Sequence, residues 1–435
     1  MKWTMQKLGW LLLSVGLVWP TQGQEVPPPM PLIEGQSEQV VNVLLIGLAT
    51  HNYGSNGLTD SLILISYNRE TRHASVVYLP RDLYVYLPHS QRMAKLNQAY
   101  YYGQSDPNDD YSGLDELKAA IRYNLGIRVD YTARVNFGGF VRLIDSLGGI
   151  EISVDCAIQD WRLLSPQHDR TVPENYYRFT LEQGVHLMDG DTALWYVRTR
   201  MTSTDLDRGR RQQDVLRAIW RRIQARGLLE SLPALWESWG QIVTTDMPLE
   251  VALSFLPDLM TFSTSDVSYF SFRVNHEITS GYTPDAERRF IFVMDREAVA
   301  QLMRQMIAAS TPQRVNIPPP TVALINGTNN SNYDFIAHIA ADRLELEGFR
   351  TVVVRETPTR RRNFNHIIDH TGDEKGGHLQ TLMRVLSTTA QGVRVAPDPL
   401  RSVDYTVYLG YNYLSYACTR PVLPPVREAA ADENG

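Results

Sequence analysis

The sequence predicts an α/β fold, with a three-layer α/β/α domain around a mixed central sheet and a small C-terminal α/β domain. Three observations support this fold class. Apolar strand-like runs alternate with segments of helical periodicity from Val40 to Val154. The chain has 435 residues, enough for about two globular domains. A proline-rich stretch at 311–320 separates this alternation from a second, shorter one.

In the first domain, apolar runs bounded by turn residues predict strands, and helical spacing predicts helices. The predicted strands are Val40–Leu48, Ser61–Tyr67, Ala74–Leu79, Tyr131–Asn136 and Ile150–Val154. The predicted helices are Met93–Tyr102, Leu114–Asn124 and Gly139–Leu147, the last capped by Gly148. Residues 228–310 are expected to be mostly helical, with one strand near Val267–Phe272.

The second domain shows the same alternation on a smaller scale. It opens on the strand and turn VALINGT, followed by a helix at Asp334–Glu347 and a strand at Arg350–Arg355. The helix HLQTLMRVL lies between the segments FNHIID and VRVA, and DYTVYLG supplies a last strand. This order predicts a compact α/β unit.

The N-terminus predicts a signal peptide at residues 1–23, followed by a proline-rich linker at 24–39. The apolar run Leu8–Trp19 is 12 residues long, short of the roughly 20 that span a bilayer. Cleavage near Gly23 is expected, with retention as an uncleaved anchor as the alternative. The later boundaries are a domain at 40–310, a linker at 311–320, a domain at 321–419 and a disordered tail at 420–435.

Charge and cysteine content limit the possible partners. The formal net charge of −6 argues against a nucleic-acid binder, because no basic excess is available to contact phosphate backbones. The chain has two cysteines, Cys156 and Cys418. An exported chain can hold a disulfide, but two thiols so far apart in sequence are equally compatible with free, buried cysteines.

The most informative stretch runs from Trp195 to Leu216, where arginines accumulate next to an apolar helix. At about 100° per residue, Arg208 and Gln212 lie on the same helix stripe as Val215 and Ile219. A solvated helix face would place its charges opposite the apolar residues. The stripe that becomes core therefore begins with cationic donors, although pairing with acids near a sheet edge is an alternative explanation.

A second cationic position lies upstream, where Arg81 follows the strand-like run SVVYLP. Ends of strands are where α/β folds tend to build their sites. Several guanidinium groups that converge on one place repel each other unless an anion lies among them. Because the planar guanidinium group binds oxyanions in a bidentate manner, phosphate or pyrophosphate is the best match.

Six segments of the first domain, in this order, resemble the LytR–CpsA–Psr family. They are NVLLIGL, TDSLILISYN, VVYLPRDLYV, KLNQAYYYG, VNFGGFVRLIDSLGGIEI, and ALWYVRTR with DLDRGRRQQ, spanning roughly residues 40 to 225. The resemblance implies an extracytoplasmic phosphotransferase that moves a glycan polymer from a polyprenyl-pyrophosphate carrier onto peptidoglycan or another wall acceptor. The second domain resembles the small LytR C-terminal domain, including its strand followed by Asn-Gly, which implies a binding or accessory role.

The resemblance assigns the arginine-rich positions to pyrophosphate. The catalytic candidates are Arg81, Arg200, Asp205 and Arg208. The further pyrophosphate ligands are Lys95, Arg198, Arg211 and Gln212. Asp205 would orient an arginine or act as general base, and it could cap the helix at the same time. Arg198 has the alternative of an outward ion pair, Lys95 that of a surface lysine, and Asp82 is interpreted as a structural partner.

The resemblance also implies Mg²⁺, with Asp60 in TDS as its ligand. Mg²⁺ typically binds through one or two carboxylates together with phosphate oxygens. Relatives usually carry an Asp shortly after the first strand, in a G-x-D pattern, whereas this chain has Ala49. Because alanine cannot ligate a metal, a weakened magnesium site is expected unless His51 or Asn52 substitutes.

Two functions from different classes follow. The first is the phosphotransferase, which would meet the membrane surface through its lipid substrate. The second is a non-catalytic protein that binds polyprenyl-phosphate lipids or wall glycan and has kept the arginines after losing a metal ligand. Turnover of a polyprenyl-pyrophosphate substrate, with and without Mg²⁺, distinguishes the two.

Overall fold

The computed structural model describes residues 26–48, 58–103, 113–165, 168–169, 171–201, 204–227, 243–263, 266–312, 318–356, 361–372 and 378–413. The predicted signal peptide, Ala49, Cys418 and the predicted tail lie outside these ranges. None of the helices within them is long and apolar enough to cross a membrane.

The strands form a mixed central sheet, a second sheet in the C-terminal part and several two-stranded units. In chain order they are β1 Val40–Leu48, β2 Thr59–Asn68, β3 His73–Tyr78, β4 Tyr84–Leu87, β5 Arg92–Lys95, β6 Tyr131–Val135, β7 Ile150–Val154, β8 Ile158–Leu163, β9 Tyr176–Leu181, β10 Gly184–Met188, β11 Val243–Thr245, β12 Val267–Phe270, β13 Ile278–Tyr282, β14 Phe290–Met294, β15 Thr321–Asn326, β16 Arg350–Val354, β17 His366–Asp369, β18 Val393–Val395 and β19 Tyr405–Leu409.

The central sheet has the strand order β11-β6-β1-β2-β3-β12. The pairs β1–β2, β2–β3 and β6–β11 are antiparallel. The pairs β1–β6 and β3–β12 are parallel. The sheet is therefore mixed, as predicted, and the strands predicted nearest to Arg81 and Asp60 lie side by side at its centre.

Helices cover both faces of this sheet. In chain order they are α1 Ala99–Gly103, α2 Gly113–Leu125, α3 Phe137–Ser146, α4 Gly190–Arg198, α5 Asp205–Arg226, α6 Leu249–Ser254, α7 Leu256–Leu259, α8 Arg296–Ala309, α9 Phe335–Leu346 and α10 His378–Val385. On one face, Leu64 of β2 packs with Leu117 of α2 and Met303 of α8. On the other face, Val76 of β3 packs with Leu216 of α5. The predicted three-layer arrangement is confirmed.

Two parts of the predicted secondary structure are wrong. The helix expected at Met93–Tyr102 is the strand β5, a 3₁₀ turn at Leu96–Gln98 and the short helix α1. Pairing of β5 with β4 satisfies the backbone of residues 92–95, and this contact overrides local periodicity. Residues 228–310 are not mostly helical where described, because they also contain β11 and the hairpin β13–β14.

The C-terminal part forms a separate sheet of strand order β16-β15-β19-β17-β18. Its core includes Leu324 of β15 and Val407 of β19, packed with Ile336 of α9 and Leu382 of α10. The elements predicted from VALINGT to DYTVYLG are confirmed to within about two residues, the usual uncertainty of helix and strand ends.

An ionic contact joins this C-terminal part to α5. Arg217 is 2% exposed, and its Nη1 donates to the carbonyl oxygen of Asp342 at 2.9 Å. Its Nη2 lies 3.1 Å from Asp214 Oδ1 and 3.2 Å from Asp342 Oδ1. Burial alone would raise the pKa of Asp342, but Arg217 and Arg221 hold it below its ordinary value. Helix α9 of the C-terminal part therefore directly contacts α5, the helix that carries the predicted site.

A second contact between the two parts lies next to a cysteine. Arg343 of α9 donates to Asp155 Oδ2 at 2.6 Å, directly after β7. The neighbouring Cys156 is disulfide-bonded. Because Cys418 lies outside the described residues, the Cys156–Cys418 pairing stays a prediction.

Replacing Arg217 should destabilise the protein. In Arg217→Met, Asp214 and Asp342 lose a buried partner, so the free energy of unfolding should fall by about 3 kcal/mol. The matched control is Arg210→Ala, an exposed arginine on the same helix, which should change it by less than about 0.5 kcal/mol. Urea unfolding followed by tryptophan fluorescence measures both, and equal effects in the two variants would contradict the stabilising role.

Candidate active site

Helix α5 begins with a reciprocal cap that fixes its first turn. The Thr204 hydroxyl accepts a hydrogen bond from the Asp207 backbone N–H at 3.2 Å, and the Asp207 carboxylate accepts one from the Thr204 N–H at 2.9 Å. The suggestion that Asp205 caps the helix is therefore wrong, because Thr204 takes that position. As the first helical residue, Asp205 instead turns its carboxylate to the arginines.

Asp205 joins two arginines that come from different elements. Its Oδ1 contacts Arg208 Nη2 and lies 3.4 Å from Arg81 Nε. Its Oδ2 accepts a hydrogen bond from the Tyr78 hydroxyl at 3.3 Å. Arg81 also donates from Nη1 to Asp60 Oδ1 at 2.7 Å. The fold thus brings together three of the four predicted catalytic residues and the predicted metal ligand.

Lys95 is linked to Arg81 of this group through the carboxylate of Asp82. Its Nζ donates to Asp82 Oδ1 at 2.7 Å, and Asp82 Oδ2 lies 3.4 Å from Arg81 Nε. Asp82 is 7% exposed and acts as the structural partner that the sequence suggested. In the geometry described, Lys95 supports Arg81 through Asp82, and its direct contact with pyrophosphate stays a prediction.

Arg200 follows α4, and a carboxylate that sequence reasoning missed holds its backbone. Asp160 Oδ2 accepts hydrogen bonds from the Thr199 hydroxyl at 2.6 Å and from the Arg200 N–H at 2.8 Å. It also accepts one from the Met201 N–H at 3.2 Å. Burial alone would raise the pKa of Asp160, but these donors bring it below its ordinary value. No local signal marks Asp160, because it lies in β8, far from Arg200 in sequence.

Arg211 has a different position from the one its motif suggested. It is 6% exposed, and its Nε donates to the Tyr196 carbonyl oxygen at 2.9 Å. Its Nη2 donates to the Thr199 carbonyl oxygen at 2.6 Å. These bonds satisfy carbonyl groups at the C-terminal end of α4. Arg211 therefore ties α4 to α5, and its contact with pyrophosphate stays a prediction.

Arg198 and Gln212 both line a cavity between α5 and the central sheet. The guanidinium of Arg198 lies 4.2 Å from the ring centroid of Phe137. Gln212 accepts a hydrogen bond through Oε1 from the Ser61 hydroxyl at 2.7 Å. Both side chains are thus held in place at the cavity wall.

This apolar cavity has a volume of about 490 Å³. Its polar lining includes Asp60, Arg198, Arg200, Arg208 and Gln212. Most of its remaining lining is apolar and comes from β1, β6, α3, α4 and α5, including Leu45, Val135, Phe140, Leu194, Val215 and Ile219. The volume is within the range of roughly 300–1,000 Å³ usual for small-molecule sites. A ligand that fills it needs a long apolar part and a charged head.

The charge of that head follows from the arginine cluster, which we define as Arg81, Arg200 and Arg208. Arg208 is 2% exposed, and its Nε has no hydrogen-bond acceptor within the ranges that the structure describes. Arg200 is partly exposed, and its pKa lies below its ordinary value, first because of partial desolvation and then because of the charges of Arg208 and Arg81. Buried donors without an acceptor are unfavourable. An anion would relieve both the repulsion and the missing hydrogen bond.

The close approach of α5 to β3 depends on a glycine. A Cβ atom at Gly209 would lie 2.3 Å from the nearest atom of the Tyr78 ring. Since Tyr78 ends β3, this contact brings the first turn of α5 within reach of Arg81. A larger residue at position 209 would separate Asp205 and Arg208 from Arg81.

Asp60 is suited to share a metal ion with a substrate. Its side chain is 34% exposed at the cavity wall, with one oxygen bound to Arg81. In the parts of the chain that are described, no group of three or more His, Cys, Asp or Glu side chains could hold a metal. A Mg²⁺ site at Asp60 would need phosphate oxygens as its further ligands, and it stays a prediction.

Comparison with known proteins identifies a family that this sequence matches. The model of the LytR_cpsA_psr family matches residues 22–307. The polyisoprenyl-teichoic acid–peptidoglycan teichoic acid transferase TagT of Bacillus subtilis (strain 168) is 28% identical over 276 residues, covering 61% of this chain and 75% of TagT. Biofilm regulatory protein A of Streptococcus mutans serotype c is 27% identical over 255 residues, covering 56% of this chain and 58% of that protein.

A solved structure has the same fold. The crystal structure of B. subtilis TagV superposes with a TM-score of 0.51 at 19% sequence identity, covering 63% of this chain and 100% of that one. The family model covers the central sheet, its helices and every residue assigned to the site. This chain therefore belongs to the LytR–CpsA–Psr family.

Proposed function

We propose that this chain is a phosphotransferase that moves an anionic glycan polymer from a polyprenyl-pyrophosphate carrier onto peptidoglycan or another wall acceptor. The observation that carries the proposal is one cavity that joins a long apolar lining to Arg198, Arg200 and Arg208. A polyprenyl pyrophosphate has the matching chemistry, an apolar chain with a polyanionic head. The name of the relative TagT describes a transfer of this kind, from a polyisoprenyl carrier to peptidoglycan.

The reaction replaces a phosphoanhydride bond by a phosphate ester bond. An acceptor hydroxyl oxygen attacks the phosphorus next to the glycan, and the bond from that phosphorus to the bridging oxygen breaks. Polyprenyl phosphate leaves with the electron pair, and the hydroxyl proton passes to solvent or to a phosphate oxygen. Because negative charge builds up on the phosphate oxygens, the main requirement is a set of fixed cations. Arg208, oriented by Asp205, and Arg200, whose backbone is held by Asp160, meet that requirement.

Asp205 is assigned to orienting the arginines rather than to general-base catalysis. Its Oδ1 is engaged by Arg208 and Arg81, and its Oδ2 by the Tyr78 hydroxyl. A general base needs an oxygen within hydrogen-bonding distance of the acceptor hydroxyl. Because Oδ1 is buried against the two arginines and Oδ2 accepts from Tyr78, we assign Asp205 to positioning the arginines.

Mg²⁺ is part of the proposal as a metal that binds together with the substrate. When bound, it would neutralise phosphate charge and polarise the phosphate oxygens. Asp60 is the protein ligand that the geometry supports, because it lines the cavity beside the arginine cluster. Ala49 supplies no carboxylate, so the free protein is expected to hold the metal weakly.

The proposed substrates indicate where the protein acts. A lipid carrier and a wall acceptor meet at the outer surface of the cytoplasmic membrane, which agrees with the signal peptide proposed at residues 1–23.

We assign residues 321–419 an accessory role, like the LytR C-terminal domain that they resemble. Their separate core and their contact with α5 support this role.

Removing single members of the arginine cluster should slow the transfer strongly. Arg200→Ala and Arg208→Ala should each lower the rate by on the order of 10²–10³, the usual effect of losing a preorganised donor. The control is Arg210→Ala, which lies on α5 but points to solvent. Single-turnover transfer from a polyprenyl-pyrophosphate-linked glycan measures the rate. Wild-type rates in both variants would contradict the proposal, and tight lipid binding without turnover in the wild type would favour the non-catalytic alternative.

The metal should bind in a substrate-dependent manner. Calorimetry should detect poor Mg²⁺ binding to the free protein and tighter binding in the presence of polyprenyl pyrophosphate. Ala49→Asp should improve binding without substrate, because a carboxylate is added, and Asp60→Asn should weaken binding with substrate. Tight binding to the free wild type, or no effect of either substitution, would show that the metal lies elsewhere.

A further inference from the structure

A second cavity, of about 650 Å³, lies between the hairpin β8–β9 and α4. It shares Leu194 and Arg198 with the apolar cavity. Asp160, which holds the backbone of Arg200, also lines it. A ligand in this second cavity would therefore lie next to the place proposed for the reacting phosphate.

The lining of this cavity combines aromatic rings with polar groups, and we call the cavity the aromatic groove. Its aromatic residues are Trp161, Tyr176, Tyr177 and Trp195. Trp161 is 50% exposed and Tyr177 is 39% exposed. Exposed aromatic side chains that are grouped in this way are typical of binding surfaces. Tyrosine and tryptophan suit a ligand that has an apolar face and a polar edge.

Contacts within the groove wall hold Trp195 and Arg162 in place. The Trp195 Nε1 donates to the Trp161 carbonyl oxygen at 3.1 Å, and the Trp195 ring packs edge to face on Phe179 at 4.9 Å between centroids. Arg162 lies 4.6 Å from the Phe179 centroid and donates from Nη2 to the Thr192 hydroxyl at 2.9 Å. A wall that is ordered before binding loses little conformational entropy when a ligand binds.

We propose that the aromatic groove binds the acceptor, an uncharged saccharide chain whose hydroxyl attacks the donor phosphate; this inference rests on the proposed function. A sugar ring has an apolar C–H face that matches an aromatic ring. Its hydroxyl groups can accept hydrogen bonds from the guanidinium group of Arg162 and donate to the carboxylate group of Asp191, which both line the groove.

The charge of the groove separates the acceptor from the donor polymer. The two carboxylates of Asp160 and Asp191 balance the guanidinium groups of Arg162 and Arg198, so the lining has no cationic excess. An anionic polymer would gain little from such a surface, whereas an uncharged glycan needs no net charge. Since Arg198 borders both cavities and Asp160 in the groove holds the backbone of Arg200, the bound saccharide would place its hydroxyl beside the arginine cluster.

The test measures saccharide and lipid binding separately in the full chain. The probes are an uncharged β-1,4-linked N-acetylglucosamine tetramer, titrated to millimolar concentration, and a polyprenyl pyrophosphate without glycan. Trp161→Ala and Tyr177→Ala should each weaken tetramer binding at least tenfold and leave the affinity for the lipid unchanged. The matched control is Tyr282→Ala, because Tyr282 is 59% exposed on β13, outside the groove, and should affect neither ligand.

Each result has a defined meaning. Lipid binding by the wild type without any tetramer binding, or tetramer binding that both groove substitutions leave unchanged, overturns the acceptor groove but leaves the proposed function standing. A loss of lipid affinity equal to that for the tetramer also overturns it, because the groove would then serve the donor. Tetramer binding without lipid binding contradicts the proposed function, and with it the assignment of the groove to an acceptor.

Discussion

The buried ion cluster at the start of α5 is the interaction on which the rest of the site depends. Burying a guanidinium such as that of Arg208 is unfavourable unless it is paired. Asp205 provides part of that pairing and also contacts Arg81 from the neighbouring strand end. Arg208, whose Nε has no acceptor among the described residues, lines the apolar cavity. The fold thus holds positive charge in position before any phosphate arrives, which is the condition for electrostatic catalysis.

Several independent contacts keep this charge in place. The 22-residue α5 is capped at Thr204, touches the Tyr78 ring at Gly209 and is tied to α9 through Arg217. Arg211 links it to α4, after which Asp160 holds the Arg200 backbone. A single helix therefore contacts the arginine cluster, the apolar cavity and the C-terminal part.

Local helix geometry explains what the sequence alone could predict. Arg208, Gln212, Val215 and Ile219 share a stripe because their spacing follows 3.6 residues per turn, and they do line one cavity. The central strands were predictable because their apolar runs are covered on both faces. The approximate identity of the arginine-rich site followed from motifs, whereas the individual roles of its residues did not.

Long-range contacts explain what could not be predicted. Asp160 acts on a segment 39–41 residues away, and Gly209 matters only because Tyr78 lies against it. The apolar cavity is lined by residues such as Val135 and Phe140, which are also typical of an ordinary core. The aromatic groove arises where the hairpin β8–β9 packs against α4, a contact that no local pattern in the sequence indicates.

The most direct test of the central claim, that one site binds both a pyrophosphate head and a prenyl tail, is affinity as a function of tail length. Dissociation constants would be measured for inorganic pyrophosphate and for polyprenyl pyrophosphates of increasing length. We predict that affinity rises with each prenyl unit, by up to about 0.8 kcal/mol per buried CH₂, and levels off when the apolar cavity is full. An affinity that equals that of inorganic pyrophosphate at every length would contradict the claim.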